Sequence, residues 1–97
     1  MAVDPESLLD VFNNLREFFA QKMNRPKSKL FLGTNVRQDG NFTTASWVEL
    51  RTELADLDWM QKHGVVLSPA EMRLLSTLSD LSMVIWDEIN DAQPAAG

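Results

Sequence analysis

The sequence Ser68-Pro69-Ala70-Glu71 determines where one helix must begin. A serine at the N-cap position accepts a hydrogen bond from a free amide of the first turn. Proline at the first helical position sacrifices no hydrogen bond, and a glutamate three residues after the cap bonds back to the cap amide. Just upstream, His63-Gly64 is typical of the end of another helix. Two helices joined by so short a turn are expected to fold back on each other.

Apolar residues recur at helical spacing over residues 5–24, 46–63 and 69–90, which predicts three main helices. Asp4 is the expected cap of the first helix, and Pro26 marks its end because proline cannot continue a helix. Ser46-Trp47-Val48-Glu49 matches a second capping box, so Ser46 is the expected cap of the second helix. The predicted fold is therefore all-α. We expect a three-helix bundle-like domain in which the second and third helices form an antiparallel hairpin.

Residues 25–43 connect the first helix to the second and carry no clear helical pattern. Asp39-Gly40 is a dipeptide typical of hairpin turns, but its flanks alternate poorly between apolar and polar residues. This insertion is therefore expected to be either irregular or a short β-hairpin. The length of 97 residues indicates one domain, which we expect to cover residues 1–92, with residues 93–97 as a mobile C-terminal tail.

The composition excludes several kinds of chemistry. The chain has no cysteine, so disulfides, thiolate nucleophiles and thiolate metal ligands are ruled out. Its one histidine, His63, cannot form a zinc site alone, and near a helix C-terminus a cationic ring would favour the helix dipole. We therefore predict that the protein is not an enzyme and binds no metal or cofactor.

The sequence also lacks the usual signs of membrane targeting. No apolar run approaches the roughly 20 residues needed to span a bilayer. Residues 1–6 are acidic where a signal peptide would be basic and then apolar. These features predict a cytoplasmic protein with no membrane partner.

The net charge of −5 is unevenly distributed, with a basic segment at residues 22–37 that contains no acid. Cations interleaved with aromatic residues are typical of proteins that bind single-stranded nucleic acid, and Lys27, Lys29 and Arg37 are the contacts expected for that function. The rest of the chain is acidic and would repel phosphate. Nucleic-acid binding is therefore only an alternative function.

Asp87, Glu88 and Asp91 lie at the C-terminal end of the third helix, where the helix dipole disfavours anions. A local conflict of this kind often indicates a compensating partner. That partner is either the chain's own cations between residues 22 and 29 or a basic surface on another protein. The internal pairing is slightly favoured.

The Glu88-x-x-Asp91 spacing also resembles an acidic element of the all-α nucleoside triphosphate pyrophosphohydrolases of the MazG type. That family holds magnesium between paired acidic helices, and its other element is a Glu-Glu-x-x-Glu run. Glu49 and Glu53 do not form such a run because the adjacent glutamate pair is missing. A magnesium-dependent enzyme similar to these pyrophosphohydrolases is therefore a second alternative.

The apolar residues exceed what three packed stripes require. Trp59 lies on a second strip of the second helix, and Met83, Val84 and Trp86 lie off the main stripe of the third. Either a further layer formed by residues 30–42 covers these side chains, or they form a surface for a partner. Tryptophan and methionine are favoured at such surfaces.

We therefore predict a non-enzymatic protein-binding module, which could be a small acidic adaptor, an assembly component or a protein inhibitor. Its partner would be another protein of unknown identity. A homodimer is also considered, because small domains without disulfides often gain stability by association. The predicted partner contacts are Trp59, Met83, Val84, Trp86, Asp87, Glu88 and Asp91.

Overall fold

The computed structural model describes residues 3–92, so the predicted tail at residues 93–97 lies outside the described residues. The described residues form six α-helices, a single 3-10 turn at Lys27–Lys29 and no strand, which confirms the all-α class. In chain order the helices are α1 (Leu8–Met23), α2 (Val36–Asp39), α3 (Thr44–Ala55), α4 (Asp58–His63), α5 (Pro69–Leu74) and α6 (Leu78–Ala92).

Helix α1 begins three residues later than the sequence predicts. Its cap is Ser7, whose hydroxyl accepts a hydrogen bond from the Asp10 amide at 3.3 Å. The prediction that Asp4 caps this helix is wrong, because the Asp4 carboxylate bonds instead to Lys62 and His63 of α4. Asp4 therefore fastens the N-terminal segment to a distant helix.

The second predicted helix is broken into α3 and α4. Thr43 caps α3 by accepting from the Ser46 amide at 3.1 Å, so the cap predicted at Ser46 lies three residues too late. Leu57 adopts an extended conformation between the two helices. This break turns the chain so that Trp59 is buried, whereas a straight helix would leave it on the second apolar strip.

The third predicted helix is also broken, into α5 and α6. The capping box that starts α5 is present in both directions: Ser68 Oγ accepts from the Glu71 amide at 3.1 Å, and Glu71 Oε1 accepts from the Ser68 amide at 2.9 Å. Leu75 is extended and ends α5 after six residues. The chain restarts as α6 when Thr77 Oγ1 accepts from the Asp80 amide at 3.1 Å.

The insertion at residues 25–43 contains no hairpin, because Asp39-Gly40 closes the one-turn helix α2. Its upstream part, residues 31–37, runs beside the break between α5 and α6. The Leu78 amide donates to Thr34 O at 3.1 Å and the Ser79 amide donates to Leu32 O at 2.8 Å. The insertion therefore holds the start of α6 in place through these two backbone hydrogen bonds.

The core lies between two packed pairs of helices, α1 with α6 and α3 with α5. Trp47 is fully buried at its centre, where its indole N–H donates to Met72 O at 2.7 Å. The Phe19 ring stacks on Trp47 with the ring centroids 5.9 Å apart. Within residues 3–92, no helix is both long enough and apolar enough to cross a membrane.

Candidate functional site

Helix α6 carries one continuous exposed face. Asp80, Met83, Asp87, Asn90 and Asp91 are all exposed, and their spacing places them along one side of a helix with 3.6 residues per turn. Met83 is 53% exposed and is the only apolar residue of the five. We call these five residues the α6 face.

The α6 face meets two more exposed apolar residues at its N-terminal end. Phe31 is 63% exposed and Leu32 is 48% exposed, in the turn whose carbonyl groups bond to the start of α6. Ser79 joins the two parts, because its amide donates to Leu32 O and its hydroxyl lies 3.9 Å from Met83 Sδ. The α6 face together with Phe31 and Leu32 is called the docking surface below.

The structure brings some of the predicted contact residues together and separates others. Met83, Asp87 and Asp91 share the α6 face. Val84 and Trp86 are half-buried and pack against the core. Trp59 is on another helix and is only 4% exposed, so it does not contribute an exposed apolar surface.

The capping box of α5 meets the acidic end of α6 through two carboxyl groups. Burial raises the pKa of Glu88, and its hydrogen bond with the Glu71 carboxyl and the nearby charges of Glu71 and Asp91 raise it further. The hydrogen bond from the Ser68 amide lowers the pKa of Glu71. The two opposite shifts make Glu88 the carboxyl group of the pair that is protonated first as the pH falls.

Within the part of the chain that the structure describes, no cation forms an ion pair with the acidic end of α6. Among residues 3–92, no ion pair involves Asp87, Glu88 or Asp91. Lys22, one of the expected internal partners, forms an ion pair with Glu53 of α3 instead. These acids therefore keep the conflict with the helix dipole that the sequence predicts.

Some cations of the basic segment form contacts within the protein. The Arg37 guanidinium donates to Arg73 O and to Thr44 Oγ1, both at 3.1 Å, and thereby links α2 to α5 and α3. Lys27 and Lys29 are exposed on the 3-10 turn. Of the three predicted nucleic-acid contacts, two lysines face solvent and the arginine is used to hold the fold together.

A second candidate site is a cleft of about 440 Å³ beside the break between α3 and α4. Asp4 stands at this cleft, with Oδ2 2.9 Å from Lys62 Nζ and Oδ1 2.7 Å from His63 Nε2. These two hydrogen bonds, the one from Lys62 first, lower the pKa of Asp4. The residues that line the cleft are Val3, Asp4, Asp56, Leu57, Asp58, Trp59 and Lys62.

The indole N–H of Trp59 is a buried donor that has no hydrogen-bond partner among the described residues. Sequence reasoning missed the cleft for two reasons. Its walls come from the N-terminal segment and from the break after α3, which are far apart in the chain. The sequence suggested a contact here only between Asp58 and Lys62, which lie four residues apart, and Lys62 bonds to Asp4 instead.

The carboxylates expected for a magnesium site do not converge. Within the described part of the chain, no group of three or more histidine, aspartate or glutamate side chains is arranged to hold a metal ion. Glu53 is paired with Lys22, and Glu88 lies against Glu71.

No protein-family model, curated protein or solved structure matches this chain. Its fold and its surfaces are therefore the basis of the function proposed below.

Proposed function

We propose that this protein is a non-enzymatic protein-binding module, an adaptor, assembly component or inhibitor, that holds its partner on the docking surface. One observation carries the proposal. Three exposed apolar side chains, those of Phe31, Leu32 and Met83, lie next to acids that have no partner in the described chain. Exposed apolar groups beside unpaired charges are typical of a surface that another molecule covers.

Burial would be favourable for each of the three apolar side chains. Covering apolar surface contributes roughly 25 cal/mol per Å², and a methionine adapts its shape to the partner better than a branched side chain does. The turn that presents Phe31 is already fixed, because the Phe31 amide donates to Thr34 Oγ1 at 2.8 Å. Little backbone conformational freedom therefore remains to be lost on binding.

The charges of the α6 face define the partner's chemistry. Asp80, Asp87 and Asp91 flank Met83 along one side of the helix, and the face carries no cation. A partner segment with apolar residues at helical spacing and lysine or arginine beside them would complement both properties. We therefore propose a basic amphipathic segment of another protein as the occupant.

Several predicted contacts take a supporting role in this proposal. Val84 and Trp86 lie on the same helix as the α6 face and pack against the core. Glu88 is half-buried against Glu71 and is not part of the α6 face. A symmetric homodimer through this surface is disfavoured, because it would bring two sets of aspartates together. A cytoplasmic location and an antiparallel pairing of the second and third predicted helices stay predictions.

A peptide-display selection on the purified protein tests the proposal. We expect the recovered peptides to be basic and to have apolar residues three and four positions apart. The double variant Leu32→Asp/Met83→Asp should weaken their binding at least tenfold, about 1.4 kcal/mol, as expected when apolar anchors are lost. Circular dichroism confirms that the variant is folded.

The matched control is Leu9→Asp/Val66→Asp, which changes two exposed apolar residues that are not part of the docking surface. This control should retain binding within about twofold, far below the tenfold effect expected at the surface. Recovered peptides without basic residues, or equal weakening by both double variants, would contradict the proposal.

A further inference from the structure

Residues 3–6, which precede the cap of α1, contact the rest of the protein as a bound peptide would. The Val3 amide donates to Asn14 Oδ1 at 2.9 Å, and Asn14 Nδ2 donates to Val3 O at 2.6 Å. Asn14 is only 3% exposed, so this amide is a buried polar group that bonds to the backbone of the segment. A side-chain amide that pairs with both backbone groups of one residue recognises a chain whatever its side chain is. We call residues 3–6 the strap.

The next residue of the strap supplies a charge. The Asp4 carboxylate accepts from Lys62 Nζ at 2.9 Å and lies 2.7 Å from His63 Nε2, and both partners are in the last turn of α4. The dipole of a helix favours cations at this end, which makes it a suitable place to hold an aspartate. Pro5 follows and is buried, and a proline has no amide that burial could leave unpaired. Each residue from 3 to 5 therefore meets a different feature of the protein.

The strap leaves part of its groove empty. Val3 and Asp4 line the cleft of about 440 Å³ beside the break between α3 and α4. A second cavity, of about 100 Å³, is lined by Asn14 and shares the side chains of Leu57 and Trp59 with the first. The strap therefore lies in a groove between α1 and this break, and a longer segment would find further apolar surface there.

The contacts that hold the strap are partly exposed. The side chains of Asp4 and Lys62 are 48% and 64% exposed, and ion pairs in such positions contribute little to stability. Val3 is itself 50% exposed. Segments with few buried contacts and exposed hydrogen bonds open at a small fraction of the free energy of global unfolding. The groove is therefore able to exchange its own strap for another segment.

We propose that this groove is a peptide-binding site which the strap occupies, and that an acidic segment of another protein, with aspartate followed by proline, binds there in its place. Asn14 holds the backbone ahead of the aspartate, and Lys62 and His63 receive the carboxylate. The proline of the partner is buried as Pro5 is. The groove lies on α1 and α4 and selects an acidic segment, whereas the docking surface selects a basic one, so this inference does not rest on the proposed function.

Binding of the acetylated peptide Ala-Val-Asp-Pro-Glu, which copies residues 2–6, tests the proposal by fluorescence polarisation. The variant Asp4→Ala/Pro5→Gly of the whole 97-residue chain releases the strap and keeps the three groove residues that bond to it. This released variant should bind the peptide at least tenfold more tightly than the wild type, because a tethered strap competes at a high effective concentration. Equal binding by the two proteins would overturn the claim that the strap occupies the site.

A second peptide, with asparagine in place of its aspartate, tests recognition of the carboxylate. It should bind the released variant at least about threefold more weakly, a modest effect because Lys62 is exposed. Lys62→Gln in the released variant should weaken the aspartate peptide by a similar factor and leave the asparagine peptide unaffected. Equal binding of the two peptides would show that α4 does not recognise the charge, and it would overturn the proposal.

Asn14→Asp, added to the released variant, tests the backbone contact, because a carboxylate cannot donate to the peptide carbonyl. We expect at least tenfold weaker binding. The matched control is Asn13→Asp, which makes the same change at an exposed neighbouring position of α1 and should alter the affinity by no more than about twofold. Circular dichroism checks folding, and the exposed Lys62→Gln supplies the test if Asn14→Asp does not fold. Equal effects at the two asparagines, or no binding of the peptide to the released variant, would overturn the proposal.

Discussion

The basic segment at residues 22–37 and the acidic α6 face differ in how far the protein uses their charges itself. In the basic segment, Lys22 pairs with Glu53, and Arg37 bonds to two other helices. On the α6 face, Asp87 and Asp91 have no ion-pair partner among the described residues. A cluster of charges in the sequence is therefore available to a partner only where the fold leaves those charges unpaired.

The largest expected effect on stability belongs to the basic segment. Arg37→Ala removes both hydrogen bonds that link α2 to α5 and α3, and it leaves Arg73 O without this donor. We expect a loss of about 1–2 kcal/mol in the free energy of unfolding, the lower part of the range for charged hydrogen bonds because the site is partly exposed. Urea denaturation measures it.

Lys29→Ala is the matched control in the same segment, because Lys29 is exposed and its side chain makes no hydrogen bond or ion pair among the described residues, its backbone amide alone donating to Pro26 O. It should change the free energy of unfolding by less than about 0.5 kcal/mol. Equal effects of the two substitutions would mean that Arg37 contributes no more to the stability of the fold than an exposed lysine does. That result would contradict the claim that the fold itself uses the charges of the basic segment.

A smaller effect is expected at the acidic end. Burial and Glu71 raise the pKa of Glu88, so the folded state favours its protonated form. Stability contributed by this group is present at acid pH and is lost as pH rises through the raised folded pKa. Glu88→Gln should therefore stabilise the protein at pH 8, by less than about 1 kcal/mol, and should have little effect at pH 4.

Thermal denaturation of the wild type and Glu88→Gln at the two pH values checks this prediction. The opposite sign at pH 8 would mean that the Glu88 charge is compensated within the fold. In that case the acidic end of α6 would resemble the basic segment, and the difference between the two regions would disappear.

Local hydrogen-bonding signals in the sequence predicted one helix start correctly and misplaced two others. Ser68 and Glu71 form the predicted capping box because both partners lie within one turn. Asp4 and Ser46 have side chains that can cap a helix, but Ser7 and Thr43 occupy the N-cap positions of α1 and α3. Asp4 instead bonds to Lys62 and His63, which lie 58 and 59 positions further along the chain.

The helix breaks could not be predicted because neither contains proline or glycine. Leu57 and Leu75 are extended by tertiary packing, and the break at Leu57 buries Trp59. Met83 and Asp87 could be placed off the apolar stripe from helical periodicity alone. The exposure of Phe31 and Leu32 could not be predicted in this way, because it depends on how the insertion packs against the start of α6.

The most direct test of the docking surface exchanges the two kinds of charge and measures binding of a basic peptide recovered from the selection. Asp87→Lys/Asp91→Lys reverses the α6 face, and Lys27→Glu/Lys29→Glu is the mirror change in the basic segment. We expect the dissociation constant of the first variant to be at least tenfold larger, because like charges then face each other, and that of the second to change by no more than about twofold. Unchanged binding by the first variant, or an equal loss by the second, would contradict it.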